Sequence, residues 1–420
     1  MKKSWVILLI AAFALRLAMA FFWQHRCGDR EFYFPDSDTY WQLGCALAKG
    51  EPYEYNGMKI HRMPGYPVLL APLFHLGGEK PPVIAARLQN CLLGTLSVAA
   101  VGWIAFLLFR DKKIAVIAGW LVALDPLNVV MSAMVLTEAP FCLAMLLQVA
   151  MWIVALSEKK HWIAAAVSSG LAAAAAVYVR PDWLYFVPFA TVIGCLLTLL
   201  IATKGEAVKR ILQTGAVISL VLVVCLLPWW VRNFQVTGTF VATTLQVGPS
   251  LYDGLNPKAD GGSDMAFVDE FYNAELKLLP EDAPKQTLEQ RLNARMRQEA
   301  INWAWKNPDL AWKLATSKFA RLWNVWPNES TLAHWAVKII VFCTYVPVLV
   351  CGLIGAVRSL WKDFSVWILW IPAVYITALH IIFVSSIRYR APAMLCLAIL
   401  AAWTITSALS VRRQATRFLP

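Results

Sequence analysis

Charge is scarce in this chain. Only 15% of its 420 residues are charged, with 26 acids, while 59% are hydrophobic and the mean hydropathy is +0.56. A sequence this long and this apolar is excluded from the soluble globular class, so lipid must be part of its solvent. A disulfide framework is also missing. Seven of the nine cysteines (Cys91, Cys142, Cys195, Cys225, Cys343, Cys351, Cys396) lie inside apolar runs, where a thiol behaves as a small hydrophobe. Only Cys27 and Cys45 fall in a loop. There is no Walker loop, dinucleotide fingerprint, GxSxG or HExxH, and His25, His75, His161, His334 and His380 are scattered without metal-ligand spacing. No internal repeat or low-complexity tract stands out. The net charge of +12 is not a nucleic-acid footprint, because the Lys and Arg residues fall in short clusters between apolar runs rather than among exposed aromatics.

A spanning helix needs about 20 apolar residues. Such runs occur near 4 to 22, 89 to 109, 114 to 131, 139 to 156, 162 to 179, 183 to 203, 211 to 230, 334 to 357, 364 to 384 and 391 to 410, which predicts an all-α integral membrane protein of about ten spans. The third run is interrupted by Asp125-Pro126. Basic connectors at Lys2-Lys3, Arg110 to Lys113, Lys159-Lys160, Lys204 to Arg210, Arg358 to Lys362 and Arg412 to Arg417 alternate in side, which places both termini in the cytoplasm. The first run could also be read as a secretory signal, with Ala18-Met19-Ala20 as its cleavage site. Its length and the presence of Arg16 favour a retained helix packed in a bundle.

The expected organisation is an N-terminal catalytic membrane module over residues 1–232 with a first outer loop at 23–88, an extracytoplasmic helical loop domain at 233–333, and C-terminal membrane helices at 334–420. In the first loop, Thr39 to Lys49 reads as a surface helix with Tyr40, Leu43 and Leu47 on one face. In the second, Leu288, Leu292 and Met296 recur at helical spacing, and Asn307-Pro308-Asp309 starts a further helix through Trp326. Gly254-Leu255-Asn256-Pro257 and Gly261-Gly262 mark an irregular segment.

The side chains able to do chemistry stand in these loops or at span ends. Asp36 and Asp38 precede the surface helix, where acids serve equally as helix caps or dipole partners. An Asp-x-Asp pair can hold a divalent metal, but without a third acid or a nearby His the signal is weak, and no metal ligand is assigned. Glu138 opens the fourth span, again a position that suits an acid. Arg62, Arg180, Arg232, Arg388 and Arg390 lie at outer span ends, against the positive-inside bias, which calls for an anionic partner. Guanidinium forks suit phosphate oxygens, either of lipid headgroups or of a lipid-phosphate substrate. Tyr40 and His61 are placed beside them as substrate-binding candidates.

These motifs resemble the type C glycosyltransferase superfamily. The resemblance rests on Asp36 four residues before Tyr40, Arg62 ahead of Pro64-Gly65-Tyr66-Pro67, and Thr137-Glu138 opening the fourth span. The segments Pro228-Trp229-Trp230-Val231-Arg232-Asn233, Gly254 to Pro257, and Arg388-Tyr389-Arg390 to Pro392 look more narrowly like the bacterial branch related to protein O-mannosyltransferases and the aminoarabinose transferases of lipid A. It implies an inverting enzyme of the bacterial plasma membrane. The enzyme would move a sugar from a polyprenyl-phosphate carrier to a glycan, lipid or protein acceptor on the extracytoplasmic side. Asp36 matches the family's first-loop catalytic acid, Glu138 the second acid, and Arg62 the basic residue near the carrier phosphate. Asp38 has no firm counterpart. Members of the family often carry more spans or a larger C-terminal domain, so acceptor recognition here is expected in the second loop if anywhere. No cofactor is required, though a divalent metal is compatible.

The residues fit that chemistry independently. A phosphate leaves without a general acid, whereas an acceptor hydroxyl must lose a proton. A transporter or flippase for lipid-linked glycans would also want arginines, but it would place charges along a pathway through related halves. A non-catalytic assembly partner would tolerate loss of the outer acids.

Overall fold

The computed structural model describes residues 2–28, 32–77, 82–202, 205–277, 287–326 and 334–415. Of the basic connectors, Lys204 and the stretch from Thr416 through Arg417 lie outside the described residues. The described residues are helical, with a single isolated bridge between Tyr55 and Met58 in place of any sheet. In chain order the helices are α1 (Lys2–Cys27), α2 (Pro35–Lys49), α3 (Gly65–Gly77), α4 (Val83–Phe109), α5 (Lys112–Ala123), α6 (Pro126–Ser132), α7 (Glu138–Ser157), α8 (Trp162–Val179) and α9 (Phe186–Leu197). They continue with α10 (Gly205–Thr237), α11 (Val247–Gly254), α12 (Val268–Lys277), α13 (Leu288–Lys306), α14 (Pro308–Trp323), α15 (Trp335–Ser359), α16 (Phe364–Trp367), α17 (Ile371–His380) and α18 (Ala391–Ala415).

The protein is an all-α multi-pass membrane protein, as its apolar runs predict. Among the described residues eight helices are long and apolar enough to cross, nine if the pair α5 and α6 counts as one span bent by 64°. The bend sits at Asp125-Pro126. The Asp125 side chain accepts the Leu127 N–H, and Pro126 takes the first helical position, so one helix stops and another starts inside one apolar run. The expected span at 364 to 384 is divided into α16 and the ten-residue α17. The turn between them is tucked against the end of α15, where the Trp367 and Trp370 indoles donate to the carbonyl and hydroxyl oxygens of Ser359.

Small residues let the spans approach. Helix α8 buries Ala165, Ala166, Ser169, Gly170, Ala173, Ala174 and Ala176, and a Cβ on Gly170 would fall 2.6 Å from that of Val221 in α10. Membrane helices associate through such close packing because lipid supplies no hydrophobic drive between them. Large apolar side chains such as Ile10, Leu200, Leu220 and Val357 face outward, as lipid contact requires. Arg16 is buried in the bundle, its Nε donating to Ser132 Oγ at 3.3 Å and a terminal nitrogen to the Ala12 carbonyl at 3.0 Å.

The first loop folds as α2 packed on α3, with Gly44 of α2 against Leu70 of α3. Helix α2 begins at Pro35, earlier than the expected Thr39, because Pro occupies the first helical turn without needing its missing N–H. The second loop holds α11 to α14. Leu292 and Met296 of α13 are buried against Phe271 of α12, and a Thr287/Gln290 capping box starts α13.

Candidate active site

Three distant parts of the chain meet at one end of the bundle. Asp36 lies in the first turn of α2, but the N-cap is Phe34 and makes no side-chain cap bond, so the Asp36 carboxylate is free for other partners. Its Oδ1 accepts from Arg62 at 2.6 Å and its Oδ2 from Arg388 at 3.4 Å. Arg388 stands in a short 3-10 turn just before α18, and its Nε lies 2.7 Å from Glu138 Oε1. Glu138 is the first residue of α7 and is only 1% exposed. Arg180, ending α8, is 4.0 Å from the same oxygen and 2.6 Å from Asp182. The result is a line of alternating charge: Arg62, Asp36, Arg388, Glu138, Arg180, Asp182.

Aromatic faces flank the guanidinium groups. Arg62 lies over Tyr40 at 5.4 Å, Arg388 over Phe34 and Tyr389 at 5.5 and 5.3 Å, and Arg180 over Phe141 and Tyr389 at 5.2 and 5.5 Å. The Pro64-Gly65-Tyr66-Pro67 turn is pressed onto the end of α8, where a Cβ at Gly65 would lie 2.5 Å from the Tyr178 carbonyl. Tyr66 is fully buried, meets Tyr40 edge-on, and accepts from Asn90 Nδ2 at 2.8 Å. Asn90 also donates to the Met134 and Leu136 carbonyls, fixing the connector that delivers Glu138.

Burial pushes the Asp36 carboxyl upward, but the neighbouring Arg62 and Arg388 outweigh it and hold the group below the usual carboxylate range. For His61, burial and then Arg62 push the imidazole down to about 3, so the ring is neutral at physiological pH. Its Nδ1 is 2.6 Å from Gln246 Nε2 and it stacks on Tyr55, which turns it toward the second loop.

The remaining candidates lie elsewhere. Arg232 donates to the Tyr53 carbonyl at 3.0 Å and covers Trp229 at 4.9 Å. Arg390 is 1% exposed, donates to the Leu322 and Asn324 carbonyls, and lies over Tyr345 at 3.7 Å. Asp38 accepts from Gln42 at 2.7 Å along α2. Each Asp36 oxygen is held by an arginine, and among the described residues no three His, Cys, Asp or Glu stand together. Sequence reasoning missed Asp182, Tyr389, Phe34 and Asn90 as parts of the site. Only Asn90 carried a signal, an amide inside an apolar span.

Residues 75–243 match the family model of dolichyl-phosphate-mannose-protein mannosyltransferases, a stretch that includes Glu138, Arg180 and Arg232. No curated protein sequence matches the chain. Solved structures do. The oligosaccharyltransferase AglB from Archaeoglobus fulgidus, in complex with an inhibitory peptide and a dolichol-phosphate, is 12% identical with a TM-score of 0.58, covering 100% of this chain and 52% of that one. The same enzyme tethered to an acceptor peptide containing the NVT sequon is 13% identical with a TM-score of 0.59, covering 97% and 50%. ArnT from Cupriavidus metallidurans bound to undecaprenyl phosphate is 14% identical with a TM-score of 0.46, covering 100% and 82%. The chain thus spans about half the length of the oligosaccharyltransferase. Over residues 75–243 the chain is thus similar to the mannosyltransferase family, and it shares the membrane fold of the oligosaccharyltransferase.

Proposed function

We propose that the protein is an inverting glycosyltransferase of the bacterial plasma membrane, moving a sugar from a polyprenyl-phosphate carrier to a glycan, lipid or protein acceptor on the extracytoplasmic side. The observation that carries this is Arg388, which bridges Asp36 of the first loop and Glu138 of α7 with one guanidinium. A base, a second acid and two phosphate-suited forks therefore share one site. The family match supports the reading, as does the fold shared with a structure that contains a dolichol-phosphate.

In the free protein the three arginines and three acids of the line neutralise one another. A carrier phosphate competes with Asp36 for Arg62 and Arg388, since both present N–H forks that suit phosphate oxygens. As the arginines turn to the phosphate, Asp36 loses the charges that hold its proton affinity down, and it becomes a better base in the donor complex. The acceptor O–H then gives its proton to Asp36 and its oxygen bonds to the anomeric carbon. The bond from that carbon to the phosphate oxygen breaks, and the electron pair leaves on the polyprenyl phosphate, whose charge Arg62 and Arg388 meet. Glu138, deep behind Arg388, orients that guanidinium.

The test is transfer by purified protein in detergent from a panel of undecaprenyl-phosphate sugars, together with undecaprenyl-phosphate binding by the parent and by Arg388→Ala. Binding that is lost in Arg388→Ala, in protein that still elutes as folded, supports the assignment. Absence of both turnover and binding in the parent overturns it.

A further inference from the structure

The second loop grips the strip of chain that carries Arg62. Glu289, in the first turn of α13, is 8% exposed, and its carboxylate accepts the Lys59 N–H at 3.0 Å and the Ile60 N–H at 3.1 Å, across some 230 residues of sequence. Around it, the Leu245 N–H donates to the Ile60 carbonyl at 3.0 Å and Gln246 meets His61 at 2.6 Å. The Tyr53 hydroxyl donates to the Arg62 carbonyl at 3.2 Å, and Tyr53 is itself held by Arg232. Ile60 and Met63 are buried on either side. Arg62 leaves this strip to reach Asp36.

We propose that Glu289 is a positioning residue: it sets the place of Arg62, and so makes binding of the carrier phosphate depend on the docking of the second loop. The idea rests on the phosphate role of Arg62 proposed above. Two adjacent N–H groups aimed at one point form a small cationic concavity that favours an acceptor-only anion. An ionised carboxylate meets both without presenting a donor of its own, whereas a glutamine would set an NH2 against one of them. Bonds to a charged acceptor are about twice as strong as neutral ones, which suits a contact that fixes register between two loops. A buried acid that merely supported α13 would have no reason to end on the backbone next to the phosphate candidate.

The test uses the full chain in detergent, with undecaprenyl phosphate as probe. Glu289→Ala should weaken binding about tenfold, the scale of a lost charge-assisted hydrogen bond. In an Arg62→Ala background the same change should cost less than about twofold, because the residue it positions is gone. Glu289→Gln should fall between, with KM for donor raised and kcat held, and amide hydrogen exchange at Lys59 and Ile60 should quicken in Glu289→Ala. Equal losses in both backgrounds, or quickened exchange with unchanged binding, would overturn the proposal. Should Arg62→Ala bind the probe as the parent does, the phosphate role of Arg62 falls, while quickened exchange at 59 and 60 still establishes the clamp.

Discussion

Asp36 stands where two readings of an acid in a first helical turn compete, helix support or chemistry. Its carboxylate turns to Arg62 and Arg388 rather than to the α2 backbone, so Asp36→Asn is the informative change. The variant should fold and bind donor but transfer sugar about 100-fold or more slowly, the scale of general-base catalysis. Turnover at the parent rate would sink the mechanism. A pH series adds a sign. Because the folded-state value is lowered, the stability Asp36 contributes is present above the ordinary carboxylate range and is lost as pH falls through the lowered value. The gap in Tm between parent and Asp36→Asn should therefore be widest near neutrality and close in acid. Arg388→Ala should be costlier, because the Glu138 carboxylate, 1% exposed, loses its nearest cation. Breaking a buried pair costs about 3–5 kcal/mol, and Glu138→Gln in the same molecule should recover much of it, as denaturation in detergent would reveal. The residues of this pair were visible in the sequence as acids and arginines at span ends. Their pairing was not, since Glu138 and Arg388 lie far apart in the chain and only the packing of α7 beside α18 joins them.

Elements carry the site by close approach. Gly65 begins α3 with its Cα against the Tyr178 carbonyl, so Gly65→Ala forces the turn away from α8 and draws Arg62 with it. An overpacked contact of this kind costs about 1–3 kcal/mol, and a lowered Tm together with weakened undecaprenyl-phosphate binding would register both effects. A Tm within about one degree of the parent would show that the turn is not held there. Pattern reading found α13 from Leu288, Leu292 and Met296 because a helix that buries one face keeps its apolar residues at helical spacing. It missed the early start of α2, since a proline in the first turn reads equally as a loop. It also joined α16 to α17, because apolarity alone does not register a turn held by two indoles on Ser359.

At the scale of the molecule, the positive-inside pattern predicts the side of each loop, and cysteine labelling tests it. In a background without the nine native cysteines, Ser263→Cys should react with an impermeant thiol reagent in intact cells and Lys362→Cys should not. Both positions are exposed, whereas Ser359 in the same connector is buried and would be silent from either side. Ser330, a natural second reporter for the outer loop, lies outside the described residues. Labelling of Lys362→Cys from outside would invert the orientation. Composition and hydropathy by themselves determined that the chain is helical and spans a membrane, because a bilayer leaves the backbone almost no other way to satisfy its hydrogen bonds. Charged residues at outer span ends and the family resemblance pointed to Asp36, Asp38 and Glu138 and to Arg62, Arg180, Arg232, Arg388 and Arg390. Only the tertiary structure decided that Arg232 and Arg390 stand apart from them, that Asp36 and Glu138 share one arginine, and that the second loop holds the first through Glu289. Those outcomes depend on contacts between residues from 68 to 352 positions apart, for which a local period or motif carries no information.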